Sequence, residues 1–92
     1  MTEIRHLIIS GLVQGIGYRA GMAWQARSLG ITGWVRNRRD GNVEAMVAGE
    51  AEAVAAIIDW ARRGPPGATV DHVAVEAGQG AFSGFEPLPT AQ

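Results

Sequence analysis

Asp40-Gly41 separates two short apolar runs, "ITGWVRNR" before it and "NVEAMVAG" after it. An Asp-Gly pair flanked in this way is among the strongest short-range signals for a β-hairpin. In the second run Val43, Ala45 and Val47 alternate with Glu44 and Met46, the period of a strand with one apolar face. The middle of the chain is therefore committed to two neighbouring antiparallel strands, and the other elements must be arranged around them. Upstream, "EIRHLIISG" carries Ile4, Leu7, Ile8 and Ile9 and reads as a strand ending at Gly11. A glycine-rich loop, Leu12–Tyr18, follows. Met22, Ala26 and Leu29 then recur at helical spacing, and Gly30 suits the position just past a helix end, so 19–29 reads as a helix. Downstream, "GEAEAVAAIIDWARRG" places Val54, Ile57, Ile58 and Ala61 on one helical face. "GPPGAT" is a loop and "VDHVAVEA" a fourth strand. "FSGFE" is a short fifth strand or an edge, and the prolines of "PLPTAQ" predict a loose tail.

The order β-α-β-β-α-β is the split βαβ, ferredoxin-like pattern. It predicts an α+β sandwich, with two helices on one face of a four- to five-stranded antiparallel sheet and the other face partly in water. A length of 92 residues fits one domain spanning 1–92. With 47% apolar and 18% charged residues the chain is globular in composition, and a net charge of -1 speaks against a general nucleic-acid binder. The lack of cysteine excludes disulfides, thiolate nucleophiles and cysteine metal sites. "MTEIRHLIIS" has no apolar segment of signal-peptide length and no stretch is long enough to span a bilayer, so a cytoplasmic protein is expected, with no membrane partner.

The two helical segments differ in charge. The second has Glu50 and Glu52 at its start and Arg62 and Arg63 at its end, each complementing the helix dipole. The first has Arg19 at its start, where a cation is disfavoured by about 0.3–1 kcal/mol, and no acid from Ser10 to Leu29 offsets it. A bound anion is one reason to build such an end. Free N–H groups at a helix start favour an anion, glycines let successive N–H groups turn toward one centre, and an Arg adds a planar fork that matches phosphate oxygens. An ordinary surface Arg after a turn fits the same pattern, and the loop is not a Walker A motif, because no GK[ST] follows the glycines. In the split βαβ topology the ends of strands one and two lie at the same sheet edge, roughly 9–10 Å apart across the inserted third strand. Asn37 ends strand two with the parity of Ile31 and Val35, a polar residue at the rim of an apolar face. It is either a turn residue or an amide waiting for a water or ligand.

Other chemistry-bearing residues have plainer readings. His6 and His72 are far apart and lack ligand spacing, which favours structural or surface roles over catalysis or metal binding. Trp24, Trp34 and Trp60 read as core or rim packing. Arg36, Arg38, Arg39 and Asp40 read as a solvated hairpin that can steer anions, and Gln14 as a hydrogen-bonding residue within its own loop.

The stretch Gly11-Leu12-Val13-Gln14-Gly15-Ile16-Gly17-Tyr18-Arg19 resembles the acylphosphatase loop, G-x-V-Q-G-V-x-[FY]-R. "LGITGWVRNRRDGNV", Leu29 to Val43, resembles the second stretch of that family, and the likeness continues through "GPPGATVDHVAVE". Leu12 stands where the family often has Arg, Tyr18 replaces a commoner Phe, and "FEPLPTAQ" replaces the usual aromatic and basic ending, which puts the last strand's pairing in question. The resemblance implies hydrolysis of small-molecule acyl phosphates to a carboxylate and inorganic phosphate, the latter both product and inhibitor. It implies that Arg19 binds the phosphoryl oxygens and that the backbone N–H groups of Gly15, Ile16, Gly17, Tyr18 and Arg19 complete the cradle. Asn37 would position the attacking water. The implied protein is a monomer without metal or cofactor. Two other readings of the residues are a phosphoanion-binding module without turnover, which need not keep Asn37, and a ferredoxin-like RNA binder, which the charge disfavours.

Overall fold

In the computed structural model, which describes residues 1–91, the chain runs β1 (Thr2–Leu12), α1 (Tyr18–Ser28), β2 (Thr32–Asn37), β3 (Val43–Glu50), α2 (Ala51–Arg63), β4 (Thr69–Ala77) and β5 (Phe85–Pro87). The expected α+β, ferredoxin-like order is present. The sheet order is β4-β1-β3-β2-β5, with β3 inserted between β1 and β2. Four strands are antiparallel, whereas β5 pairs with β2 in parallel, so the sheet is mixed.

The hairpin at Asp40-Gly41 closes through Gly41 N–H to Arg38 O at 3.2 Å and Arg38 N–H to Asn42 O at 2.9 Å. The Asp40 carboxylate accepts from Asn42 N–H at 3.0 Å. The loop is thus three residues long, with Gly41 at φ 94°, the pattern of a turn followed by a left-handed residue. That length sets the register, Arg36 opposite Glu44 and Asn37 opposite Val43.

Alternation then places Leu7 and Ile9 of β1, Val43, Ala45 and Val47 of β3, and Val35 of β2 on the face that the helices cover, all fully buried. α1 contributes Tyr18, Met22, Ala23 and Ala26, and α2 contributes Val54, Ile57 and Ala61. Each fully buried large side chain contributes roughly 1.5–3 kcal/mol, which makes this layer the main source of stability. α1 ends as expected: Gly30 N–H reaches Arg27 O at 3.3 Å and Ile31 N–H reaches Ala26 O at 2.8 Å, with Gly30 left-handed at φ 72°, the Schellman arrangement.

The tail departs from expectation. Leu88 N–H donates to Val35 O at 2.8 Å, Ala91 N–H donates to Asn37 O at 2.9 Å, and Ala91 bridges Arg38 in parallel. The segment read as loose therefore follows β2 to its end; Gln92 lies outside the described residues. Pro87 interrupts none of this, because it sits between the bonded positions and its missing N–H faces away from β2.

Candidate active site

The loop that leaves β1 has a left-handed Gly15 (φ 77°) and a left-handed Gly17 (φ 82°) on either side of Ile16. A Cβ at either glycine would meet nothing within 4 Å, so backbone angle, not space, requires glycine there. Alternating hands along a chain turn successive N–H groups toward one concave side. Gly17 is also the N-cap of α1 and offers no side chain to cap it. Among the described residues, no backbone N–H from Gly15 to Ala20 has a hydrogen-bond partner; the first engaged is Gly21, which reaches Gly17 O at 2.9 Å.

All of the residues from Gly15 to Ala20 except Ile16 border a cavity of about 340 Å³ lined by Val13, Gly15, Gly17, Tyr18, Arg19, Ala20 and Pro87. Arg19 is half-buried and forms no ion pair among the described residues. Tyr18 fixes the end of the loop. Its hydroxyl donates to Ala61 O at 2.7 Å, in the last turn of α2, where carbonyls lack helical partners. Its ring packs on Trp60 with centroids 5.2 Å apart. Burial raises the Tyr18 pKa far above the ordinary phenol range, so the hydroxyl remains a donor.

Asn37 lies on the buried side of β2, two residues beyond Val35. Its Oδ1 is the only buried side-chain polar atom without a partner among the described residues. A buried amide oxygen in that state costs roughly 1–3 kcal/mol and marks a place where a donor is wanted. Asn37 does not line the cavity, but Val35 pairs with the wall residue Pro87. Gln14 makes the second link. Its amide nitrogen donates to Arg38 O and to Asn42 O, both at 2.8 Å, so it bonds outside its loop and not within it.

Of the residues singled out from sequence, Gly15, Gly17, Tyr18 and Arg19 thus share one cavity. Ile16 is off its wall with an exposed side chain, although its N–H belongs to the unengaged run. Pro87 was hidden in the segment read as a loose tail. Ala20 carries no chemical signal at all. The reach of Gln14 depends on a pairing register that sequence alone does not fix.

The opposite face of the sheet holds a second polar cluster. Glu44 is only 8% exposed; its carboxylate accepts from His6 Nε2 at 2.6 Å and from Arg36 Nε at 2.8 Å. The Arg36 guanidinium lies 4.7 Å from the Trp34 ring centre. Burial works against the charged form of Glu44, but the hydrogen bonds from His6 and Arg36 and the nearby positive charge outweigh it, so the carboxyl titrates below the usual range. A cavity of about 400 Å³ opens here beside Arg36, Arg38 and Arg39. It is larger than the loop cavity, but Arg36 is paired with Glu44 and Arg38 with Asp40. Arg39, the third arginine there, is exposed and has no ion pair among the described residues, so neither size nor a free cation alone picks out the site; the unengaged backbone donors beside the half-buried Arg19 do. His72 is exposed on β4. Of the tryptophans, Trp60 packs as expected, whereas Trp24 is 70% exposed. Among the described residues, no group of three or more His, Asp or Glu is placed to hold a metal ion, and no helix is long and apolar enough to cross a membrane.

Comparison with known proteins places this geometry in a family. A family model described as Acylphosphatase matches residues 5–87. An acylphosphatase of Acidovorax sp. (strain JS42) is 56% identical over 87 residues, covering 94% of this chain and 90% of its own. One from Cupriavidus pinatubonensis is 50% identical, covering 96% and 98%. The solved structure of an acylphosphatase from Coxiella burnetii superposes with a TM-score of 0.91 at 33% identity, covering 95% of this chain and 93% of that one. A match this long at this identity leaves one conclusion: the chain belongs to the acylphosphatase family.

Proposed function

We propose that this chain hydrolyses acyl phosphates, R-CO-O-PO3, to a carboxylate and inorganic phosphate. The observation that carries the reading is one cavity bordered by Arg19 and by Gly15, Gly17, Tyr18 and Ala20, whose backbone N–H groups are unengaged. An acyl phosphate is a mixed anhydride with a good leaving group, and a loose phosphoryl transition state asks mainly for positioning and charge stabilisation. Arg19 would grip two phosphoryl oxygens with its planar fork, and the N–H groups of Gly15 to Arg19 would take the rest. Asn37 would hold the attacking water, its buried Oδ1 accepting a hydrogen bond from it. The water oxygen bonds to phosphorus, the P–O bond to the acyl group breaks, and the carboxylate leaves with the electron pair. The water's proton passes to a phosphate oxygen, so no side-chain base is required.

The reading carries with it one domain spanning 1–92, acting as a cytoplasmic monomer without metal or cofactor, and inorganic phosphate as a competitive inhibitor. Steady-state turnover of benzoyl phosphate tests it. The expected result is activity indifferent to EDTA and inhibited competitively by phosphate. Phosphate binding without turnover would favour the second reading, an anion-binding module. Activity abolished by EDTA and restored by one divalent ion would overturn the mechanism.

A further inference from the structure

We infer that Gln14 is the positioning residue that holds the phosphate-binding loop in register with Asn37. The inference rests on the reading of Asn37 as the residue that orients the water. β1, which delivers the loop, and β2, which ends in Asn37, are not neighbours, because β3 lies between them. Two strand spacings, roughly 9–10 Å, separate the two ends, and no backbone ladder joins them. The side chain of Gln14 spans this gap. Its amide has two N–H hydrogens and both are used, one on Arg38 O and one on Asn42 O, each at 2.8 Å. Arg38 directly follows Asn37, and Arg38 and Asn42 are themselves joined at the base of the hairpin by Arg38 N–H to Asn42 O. Gln14 directly precedes Gly15, the first left-handed residue of the loop. One half-buried amide therefore ties the first residue of the cradle to the strand end that carries the water's partner.

The chemical consequence is specific. The cradle's own geometry comes from its glycines and from Tyr18 anchored on Ala61, so losing the Gln14 tie leaves anion binding in place. What is lost is the distance between bound phosphorus and the held water. A misplacement of about 1 Å at that point lowers turnover by up to about 100-fold.

The test uses Gln14→Met, which keeps the length and removes both donors, and Gln14→Asn, which keeps the amide but shortens the reach. Each is measured alone and with Asn37→Ala for kcat and KM on benzoyl phosphate, for inhibition by phosphate, and for thermal midpoint. Gln14→Met is expected to lower kcat about 10- to 100-fold, with the phosphate inhibition constant changed by less than about threefold. In the Asn37→Ala background the same change is expected to lower kcat by no more than about twofold, because residues that act through one another are not additive. A folded Gln14→Met protein with parental kcat overturns the inference. So does one that loses phosphate affinity in proportion to kcat, or one whose effect multiplies in full with that of Asn37→Ala. Should Gln14→Met not fold, Gln14→Asn carries the same expectations. An Asn37→Ala protein with parental kcat overturns the water-holding reading itself, which separates that failure from a failure of the Gln14 link.

Discussion

α1 and α2 lie on the same face of one sheet, yet their N-termini are built in opposite ways. α2 starts behind Glu50, has Glu52 in its first turn, and closes with Arg62 and Arg63. Its positive end is answered by acids, and Glu50 is held in turn by the Met1 amino group at 2.7 Å. α1 starts behind a glycine with no side-chain cap, has no acid in its first turn, and carries Arg19 there. One terminus is neutralised within the chain. The other keeps its free donors and adds a cation, at a cost of about 0.3–1 kcal/mol. The Tyr18 hydroxyl bond to Ala61 and its contact with Trp60 hold this unfavourable end in place by packing. Two helix starts on one face of a sheet can therefore have different purposes, and what distinguishes them is whether the local charges are satisfied.

The comparison is broken most directly at Arg19. Arg19→Ala should lower kcat/KM for an acyl phosphate by about 1,000-fold or more while the thermal midpoint stays the same or rises, since a misplaced cation has gone. Arg19→Lys should fall between the two proteins, because charge survives and the fork does not. A near-parental phosphate inhibition constant in Arg19→Ala would mean that the two termini do not differ in kind. Gly17→Ala comes next. It forces a Cβ onto a residue at φ 82°, so stability should fall by about 1 kcal/mol and phosphate affinity should weaken about tenfold, read by a melt and an inhibition curve on the same sample.

Acid sharpens the contrast. Hydrogen bonding to the Met1 amino group, then its charge, lowers the Glu50 pKa, and Glu44 is lowered as described. Carboxyls with lowered folded values stabilise the protein fully above their unfolded value, about 4.3, and lose that contribution as pH falls through the folded value. The thermal midpoint should drop across that acid range, and Glu44→Gln or Glu50→Gln should flatten the drop. The start of α1 has no acid to titrate. The smallest effect expected is for Glu52→Gln, a loss of about 0.5 kcal/mol in chemical denaturation with kcat unchanged.

Much of this was legible before any coordinates. The hairpin at Asp40-Gly41, the helical faces and the stop at Gly30 follow from local rules that tertiary packing did not override. Arg19 stood out because it breaks a rule that α2 obeys. The partners were not legible. Whether Arg36 faces Glu44 depends on the turn length: a two-residue turn at Asp40-Gly41 would have set Asn37 opposite Glu44 and shifted the whole pairing by one residue. The His6–Glu44 contact depends on a separate register, that of β1 against β3, in which Ile8 lies opposite Glu44. The tail's prolines signal a chain breaker in sequence, yet an edge strand tolerates proline where no N–H is needed, and Pro87 sits at such a position.

The cavity's walls also set a condition on when it can exist. They come from Val13, Gly15, Gly17 to Ala20 and Pro87, and β1, which leads into the first of them, pairs with β4 from Arg5, opposite Ala77, to Leu12, opposite Thr69. Joining such distant parts of a chain costs loop-closure entropy before the contacts repay it. No fragment released partway through synthesis would have this pocket. Recovery of turnover after dilution from denaturant is therefore a measure of complete folding, whereas helical signal alone can return while the pocket is still open on one side.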